Sequence, residues 1–172
     1  MSDIDFDRLQ PLRVAVGSHQ EGSGRGCAMN VVSYVTGDTK ITDYPECSHS
    51  YLSNIVQKVN DTLGRRRGRS EISEQGDATY LTPEDALTVI ELGLLTVDTA
   101  GKEDLFGPGQ FTHAQKLAAA WTRLRTNSQS VPDEVLDMYI RETRQLLLDI
   151  REHLGLAEAP KADRVAEKLV TA

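Results

Sequence analysis

Aromatic side chains are scarce in this chain of 172 residues, which contains three Phe, one Trp and five Tyr. A surface that binds nucleic acid by stacking its bases needs several aromatic rings, so the composition argues against such a surface. Long apolar runs are lacking too, whereas a helix that crosses a bilayer needs about 20 predominantly apolar residues. The N-terminal residues MSDIDFD are acidic, unlike the basic start of a secretory signal peptide. We therefore expect a cytoplasmic protein without a membrane-spanning segment.

Cysteine is also scarce, with only Cys27 and Cys47 in the chain. Thiols of cytoplasmic proteins stay reduced, so we do not expect a disulfide between these two residues. Positive charge is outnumbered, because 19 Lys and Arg stand against 26 Asp and Glu, giving a formal net charge of −7. This balance makes the protein as a whole a poor partner for the phosphate backbones of nucleic acids.

The residues that are present predict a helical protein. Hydrophobic residues make up 39% of the chain, enough for a mainly aliphatic core in a single domain over residues 1–172. Apolar residues recur every three or four positions, and no pair of alternating strands is evident. We predict an all-α fold, an irregular bundle of about five helices with a glycine-rich N-terminal loop. It divides into a motif-bearing half (1–64), a mobile basic and polar loop (65–80) and a helical remainder (81–172).

The first two helices are predicted within the motif-bearing half. Residues 17–26 contain four glycines and have the composition of a loop that leads to Cys27. A helix is predicted from Cys27 until Gly37, where a left-handed glycine would end it. The β-branched residues in this stretch also suit a strand, but the apolar spacing favours the helix. A second helix is predicted from a serine cap, Ser48 or Ser50, to a closing glycine at position 64.

Two further helix starts are predicted from capping signals in the later part of the chain. Thr82 followed by Pro83 is typical of a helix start, because the hydroxyl can cap the first turn and proline suits the first helical position. Thr112, with Gln115 three residues later, resembles a capping box. The sequence therefore predicts one helix after Thr82 and another after Thr112.

The longest helix is predicted over residues 133–154, followed by a short final helix over residues 161–171. Leu136, Thr143 and Ile150 repeat every seven residues in the longest helix. Such a repeat suits a seam for a partner helix or a second copy, but three heptads that include a threonine more often pack inside one bundle. We expect this face to belong to the core.

The motifs GCAMNVVSYVTGD and DYPEC, followed by a helix that closes with VND, resemble an uncharacterised family found in actinobacteria and their phages. Members of that family carry a pattern like C-x-M-E-A-V-A-Y-x-x-G-E, then D-x-P-x-C and a helix that ends in N-D. The resemblance covers residues 17–61 and, more loosely, residues 91–99 and the helix around Trp121. It implies a shared fold but no established activity. Asn30 stands where the family has Glu, so a carboxylate at that position has no acid or base role here.

His19, Cys27, Cys47 and His49 are candidate ligands of a zinc ion. Two imidazole nitrogens and two sulfurs are a typical donor set for tetrahedral zinc. Structural zinc sites usually take their ligands in close pairs such as C-x2-C, and these four residues are spaced differently. The alternative interpretation is that the cysteines are small buried hydrophobic residues and that His49 lies at the surface near a helix start.

Cys27 is also a candidate nucleophile. A cysteine at a helix N-terminus is close to the positive end of the backbone dipole, which favours the thiolate. His19 or His49 would then act as the base, with Asp43 orienting it, as in cysteine hydrolases. The local sequence around Cys27 matches no known cysteine protease signature.

Two basic stretches are candidate anion sites. In GSGRG, around Arg25, glycines could let backbone N–H groups converge on an anion while the guanidinium adds charge. In RRRGR, the residues Arg65, Arg66, Arg67 and Arg69 could bind nucleic acid or another acidic surface. A flexible connection and a solvated loop, respectively, are the alternative interpretations.

These patterns favour a non-enzymatic accessory protein that acts by binding another macromolecule, with a protein as the expected partner. Helical faces are plentiful in the sequence, whereas no phosphate, cofactor or catalytic motif is complete. No cofactor is expected unless the four zinc candidates bind a metal. Two alternatives stay open: a cysteine-dependent enzyme that uses Cys27 with His19, and a nucleic-acid-associated protein that binds through residues 65–69.

Overall fold

The computed structural model describes residues 3–66, 71–73, 76 and 78–169 of the chain. The described residues are mostly helical and also form small sheets, so the prediction of an all-α fold is right about the helices and wrong in leaving out strands. Five of the predicted helical stretches are α-helices in the described part: α1 (Ala28–Thr36), α2 (Ser50–Gly64), α3 (Pro83–Leu94), α4 (Gln110–Thr126) and α5 (Asp133–Leu154).

The first two helices have the ends that the sequence indicated, with one different cap. α1 follows Cys27, and Gly37 ends it in the left-handed conformation with φ 82°. α2 begins after His49, whose ring Nδ1 accepts a hydrogen bond from the backbone N–H of Tyr51 at 3.1 Å. The predicted serine cap is therefore wrong, because an imidazole nitrogen satisfies the free N–H group that a hydroxyl was expected to satisfy.

The three later helices differ in how well their starts were predicted. The hydroxyl of Thr82 accepts from the backbone N–H of Asp85 at 3.2 Å and caps α3, as predicted. α4 begins earlier than predicted, directly after Gly109, which has the left-handed conformation with φ 76°. Thr112 consequently lies inside α4, and the capping box predicted there is wrong. α5 covers the predicted residues and ends at Gly155, also left-handed.

Two small sheets complete the regular structure of the described residues. β1 (Arg13–Val14) pairs in parallel with β2 (Arg25–Gly26), and β3 (Glu71–Ile72) pairs antiparallel with β4 (Thr79–Tyr80). Strands of two residues are too short to show the alternation by which a strand is identified in a sequence. For that reason neither sheet could be predicted from the sequence.

The segment around β1 connects distant parts of the chain. The carbonyl of Val14 accepts from the backbone N–H of Leu81 at 2.9 Å, next to the β1–β2 pair. Leu12 forms a parallel bridge with Leu169, near the other end of the chain. The N-terminal residues are therefore held by backbone hydrogen bonds to segments far away in sequence.

In two stretches the local structure differs from the predicted one. In the predicted loop 65–80, residues 71–72 and 79–80 form the strands β3 and β4, while Arg67 and Arg69 lie outside the described residues. In place of a final helix over residues 161–171, the described residues form two 3-10 turns, Ala162–Arg164 and Ala166–Lys168. The bridge at Leu169 keeps the backbone after these turns extended.

The core lies around α2, which packs against α1, α3 and α4. The buried apolar residues form one cluster to which every helix contributes, and its largest fully buried side chains include Trp121, Met29, Leu52, Ile55, Ile90 and Leu136. Gly64 permits the close approach of two neighbours, since a Cβ atom there would collide with Val16 and lie 2.9 Å from Leu81 Cδ1. Among the described residues, no helix is long and apolar enough to cross a membrane.

Candidate functional site

Asp43 is the centre of a hydrogen-bonded cluster near the start of α1. Its Oδ1 accepts from the Asn30 side-chain amide at 2.9 Å and from the Cys27 thiol at 3.5 Å. Its Oδ2 accepts from the hydroxyl of Ser18. The carboxylate thus connects the glycine-rich loop, the first turn of α1 and the segment that follows α1. In the sequence, Asp43 is the first residue of the D-x-P-x-C motif. That motif does not indicate that the Asn30 side chain would donate a hydrogen bond to it.

Cys27 lies at the N-cap of α1, as predicted, but its environment disfavours the thiolate. The side chain is 3% exposed, and this burial raises the pKa of the thiol, with the negative charge of Asp43 raising it further. The Nε2 atom of His19 is 2.9 Å from the carbonyl oxygen of Val16. The thiol therefore faces a carboxylate, and the imidazole that was predicted to be its base has a backbone partner.

Asn60 fixes the cluster to α2. Its Oδ1 accepts from the backbone N–H of Ala28 at 3.0 Å, and its Nδ2 donates to the carbonyl of Ala15 at 3.0 Å. The next residue, Asp61, accepts from the backbone N–H of Gly17 at 3.0 Å. The N-D pair that closes the motif therefore holds the loop and the start of α1 in place, a structural role that sequence reasoning missed.

The other two candidate zinc ligands lie at the start of α2 and have separate partners. Cys47 Sγ is 3.6 Å from Ser48 Oγ, and His49 uses its Nδ1 to cap α2. The backbone N–H of His49 donates to Thr99 Oγ1 at 2.9 Å. In the part of the chain that the structure describes, no group of three or more His, Cys, Asp or Glu side chains is arranged to hold a metal ion.

Among the described candidate anion-binding arginines, two have partners within the protein and one is exposed to solvent. Arg25 Nε donates to Tyr80 OH at 3.0 Å. Arg66 is 3% exposed, and its guanidinium forms ion pairs with Asp85 and Asp137, both at 3.3 Å. Its charge is therefore neutralised inside the protein. Arg65 is exposed.

A groove lies between α3, α5 and the segment 156–163 and was not predicted from the sequence. It has a volume of about 530 Å³, and its apolar lining includes Leu95, Leu148, Leu156 and Pro160. Leu148 is 43% exposed although it lies in the middle of a long helix. The run of three leucines at 146–148 was the available signal, because three consecutive helical positions cannot all face the core.

The charged residues at the rim of this groove leave a negative excess. Arg144 pairs with Glu91 at 3.3 Å, and Arg151 donates to backbone carbonyls, including that of Val97 at 2.6 Å. Both guanidiniums thus have partners within the chain, and the charged residues that line the groove comprise four acidic and three basic ones. The remaining charged residues at the rim are exposed, and three are acidic and one basic: Glu152, Glu158, Asp163 and Lys161.

The geometry therefore offers a structural cluster around Asp43 and an open apolar groove beside α5. The polar groups of the cluster form hydrogen bonds with one another, whereas the apolar lining of the groove is partly exposed to solvent. Comparison with protein-family models, with curated proteins and with solved structures finds no match to this chain.

Proposed function

We propose that this protein is a non-enzymatic accessory protein that binds a partner protein in the groove between α3, α5 and residues 156–163. The occupant is a short amphipathic segment with apolar side chains on one face and Lys or Arg beside them. The observation that carries this proposal is the combination of an apolar groove of about 530 Å³ with a rim of net negative charge.

The apolar lining supplies the free energy of binding. Leu148 is 43% exposed, and covering such a side chain contributes about 1 kcal/mol. Leu95, Leu156 and Pro160 are partly buried and lie beside it. A partner that inserts two or three apolar side chains would therefore gain a few kcal/mol, which suits a weak, reversible complex.

The rim supplies the preference for a basic partner. Glu152, Glu158 and Asp163 outnumber Lys161, and none of the four forms an ion pair with another described residue. Charges at the edge of an interface affect the association rate and the choice of partner more than the affinity. A basic segment is thus favoured over an acidic one of equal apolar content.

A cysteine-dependent enzyme, the principal alternative, receives less support. Nucleophilic catalysis needs a thiolate and a base in contact with it. Burial and the neighbouring Asp43 carboxylate raise the pKa of the Cys27 thiol, and the ring of His19 contacts a backbone carbonyl. These observations favour binding over chemistry at Cys27.

A direct test uses two synthetic peptides, one amphipathic peptide of leucine and lysine and its counterpart of leucine and glutamate, titrated by fluorescence anisotropy. We expect the leucine–lysine peptide to bind more tightly. Leu148→Ser should weaken its binding about tenfold, because it removes the exposed leucine without changing the charge of the groove.

The matched control is Met138→Ser, since Met138 is 37% exposed on the same helix and does not line the groove. This variant should bind the peptide as the wild type does. Equal binding of the leucine–lysine peptide by Leu148→Ser and the wild type, or tighter binding of the leucine–glutamate peptide by the wild type, would contradict the proposal.

A further inference from the structure

A second cavity lies where α2 and α4 end, away from the apolar groove. It has a volume of about 360 Å³ and is lined by Arg65, Arg125 and residues 126–130. Residues 126–130 have the sequence TNSQS, so every described side chain around the cavity is polar or positively charged. Among the described lining residues none is acidic, although the chain has a net charge of −7.

The positive charge of the cavity is not neutralised by the described part of the chain. Neither Arg65 nor Arg125 forms an ion pair with a described carboxylate. Lys58 lies close enough for its pKa to be lowered, first by partial burial and then by the positive charge of Arg125. Lys58 and Arg125 therefore repel each other in this region.

The hydrogen bonds among the described residues of the cavity do not use the arginine donors. Helix C-termini expose carbonyl groups that attract cations, which is one reason for arginines to be there. Here hydroxyl groups already satisfy two of these carbonyls: Ser128 Oγ donates to the carbonyl of Arg65 at 3.2 Å, and Ser130 Oγ donates to that of Asn127 at 3.0 Å. Neither guanidinium donates a hydrogen bond to another described residue, so both can bind a ligand from outside.

We propose that this cavity binds a phosphate group. Two guanidiniums that share one cavity can each donate a pair of hydrogen bonds to phosphate oxygens. The side-chain amides of Asn127 and Gln129 add neutral donors beside them. The volume admits a phosphate with an attached sugar, whereas none of the described lining residues has an aromatic ring on which a base could stack.

The ligand class is therefore a phosphate monoester or diester that is recognised through its phosphate and its polar body. A sugar phosphate and the backbone of a single-stranded nucleic acid both carry this chemistry. The proposal is independent of the apolar groove, because the two cavities share no lining residue.

The test is isothermal titration calorimetry of the whole chain with inorganic phosphate, ribose 5-phosphate and a short oligothymidylate, in a buffer free of other oxyanions. We expect saturable binding of ribose 5-phosphate, and we expect Arg65→Gln and Arg125→Gln each to weaken it at least about tenfold. Both side chains are at least partly exposed, so thermal unfolding should show that both variants remain folded.

Arg123→Gln is the matched control. Arg123 is exposed on α4, two residues before Arg125, and does not line the cavity, so this variant loses the same charge without losing a donor. It should bind ribose 5-phosphate as the wild type does. A different result is that the oligothymidylate binds more tightly than ribose 5-phosphate and loses as much affinity in Arg65→Gln and Arg125→Gln. That result would identify the ligand as the phosphate backbone of a nucleic acid.

Two results would overturn the proposal. One is the absence of saturable binding by the wild type to any of the three ligands. The other is an equal loss of binding in Arg123→Gln and Arg125→Gln, since it would mean that phosphate is attracted by diffuse positive charge rather than bound in this cavity.

Discussion

The indole N–H of Trp121 donates a hydrogen bond to the hydroxyl of Thr143 at 2.9 Å, across the contact between α4 and α5. Both residues are completely buried, and Thr143 in turn donates to the carbonyl of Tyr139 at 2.7 Å. The threonine in the seven-residue repeat of α5 is therefore a polar contact of the core. The expectation that this face packs inside the bundle is confirmed.

Thr143→Val should destabilise the protein by about 1–3 kcal/mol, because it keeps the side-chain volume and leaves the buried indole N–H without an acceptor. Urea unfolding followed by far-UV circular dichroism measures the change. The control is Thr122→Val, which removes a similar hydroxyl-to-carbonyl bond at an exposed position of α4 and should change stability by less than about 0.5 kcal/mol. An equal effect of the two substitutions would show that the indole bond contributes little.

Arg66→Met should destabilise the protein by about 3–5 kcal/mol, because it removes the cation that pairs with the buried carboxylate of Asp85. Arg65→Met, at the exposed neighbouring position, should cost less than about 0.5 kcal/mol. The double variant Arg66→Met/Asp85→Asn should recover part of the loss, since the buried negative charge is then absent. Chemical unfolding of the wild type, Arg66→Met, Asp85→Asn and the double variant gives the coupling between the two residues, and a coupling near zero would contradict this interpretation.

Cys27 should react slowly with iodoacetamide near neutral pH in the folded protein, because burial, aided by Asp43, raises the pKa of its thiol and hides the sulfur. The experiment uses Cys47→Ser, in which Cys27 is the only thiol, and follows alkylation by mass spectrometry. Unfolding the same variant in guanidinium should restore the rate of an ordinary cysteine. Fast alkylation of the folded protein would revive the cysteine-dependent enzyme.

Arg125→Gln should raise the pKa of Lys58, because the positive charge of Arg125 is one of the two causes that lower it. The pKa should stay below its ordinary value, since partial burial is the larger cause. An NMR titration of the lysine side-chain signals measures it, with Arg123→Gln as the control that removes a charge two residues earlier on α4. A pKa of Lys58 that does not change in Arg125→Gln would show that the two cations do not interact.

Local signals in the sequence were enough to place the five α-helices to within a few residues, but not the end of the chain, where 3-10 turns stand in place of the predicted final helix. Gly37 and Gly155 end α1 and α5 in the left-handed conformation, and Thr82 caps α3, because each of these roles depends on one residue and its immediate neighbours. Thr112 failed as a cap because Gly109 starts α4 three residues earlier. A capping pattern inside a helix looks the same in sequence as one at its end.

The candidate sites depend on contacts between residues far apart in the sequence, and local sequence patterns do not reveal such contacts. Nothing in RRRGR distinguishes the buried Arg66, which forms an ion pair with Asp85 of α3, from its exposed neighbour Arg65. The Asp43 cluster was found in part, because the motif contained Cys27 and Asp43, but their direct contact excluded the histidine that was expected between them. The three leucines at 146–148 indicate an exposed apolar position but not the groove itself, because α3, α5 and the segment 156–163 form it together.

The backbone bridge between Leu12 and Leu169 has a consequence for the order of folding. Closing a loop over most of the chain costs more entropy than forming a helix, so the helices should assemble before this pairing does. The two ends of the described chain would then close last and open first. Hydrogen exchange should accordingly be faster at the amides that join these ends than at those in the middle of α2.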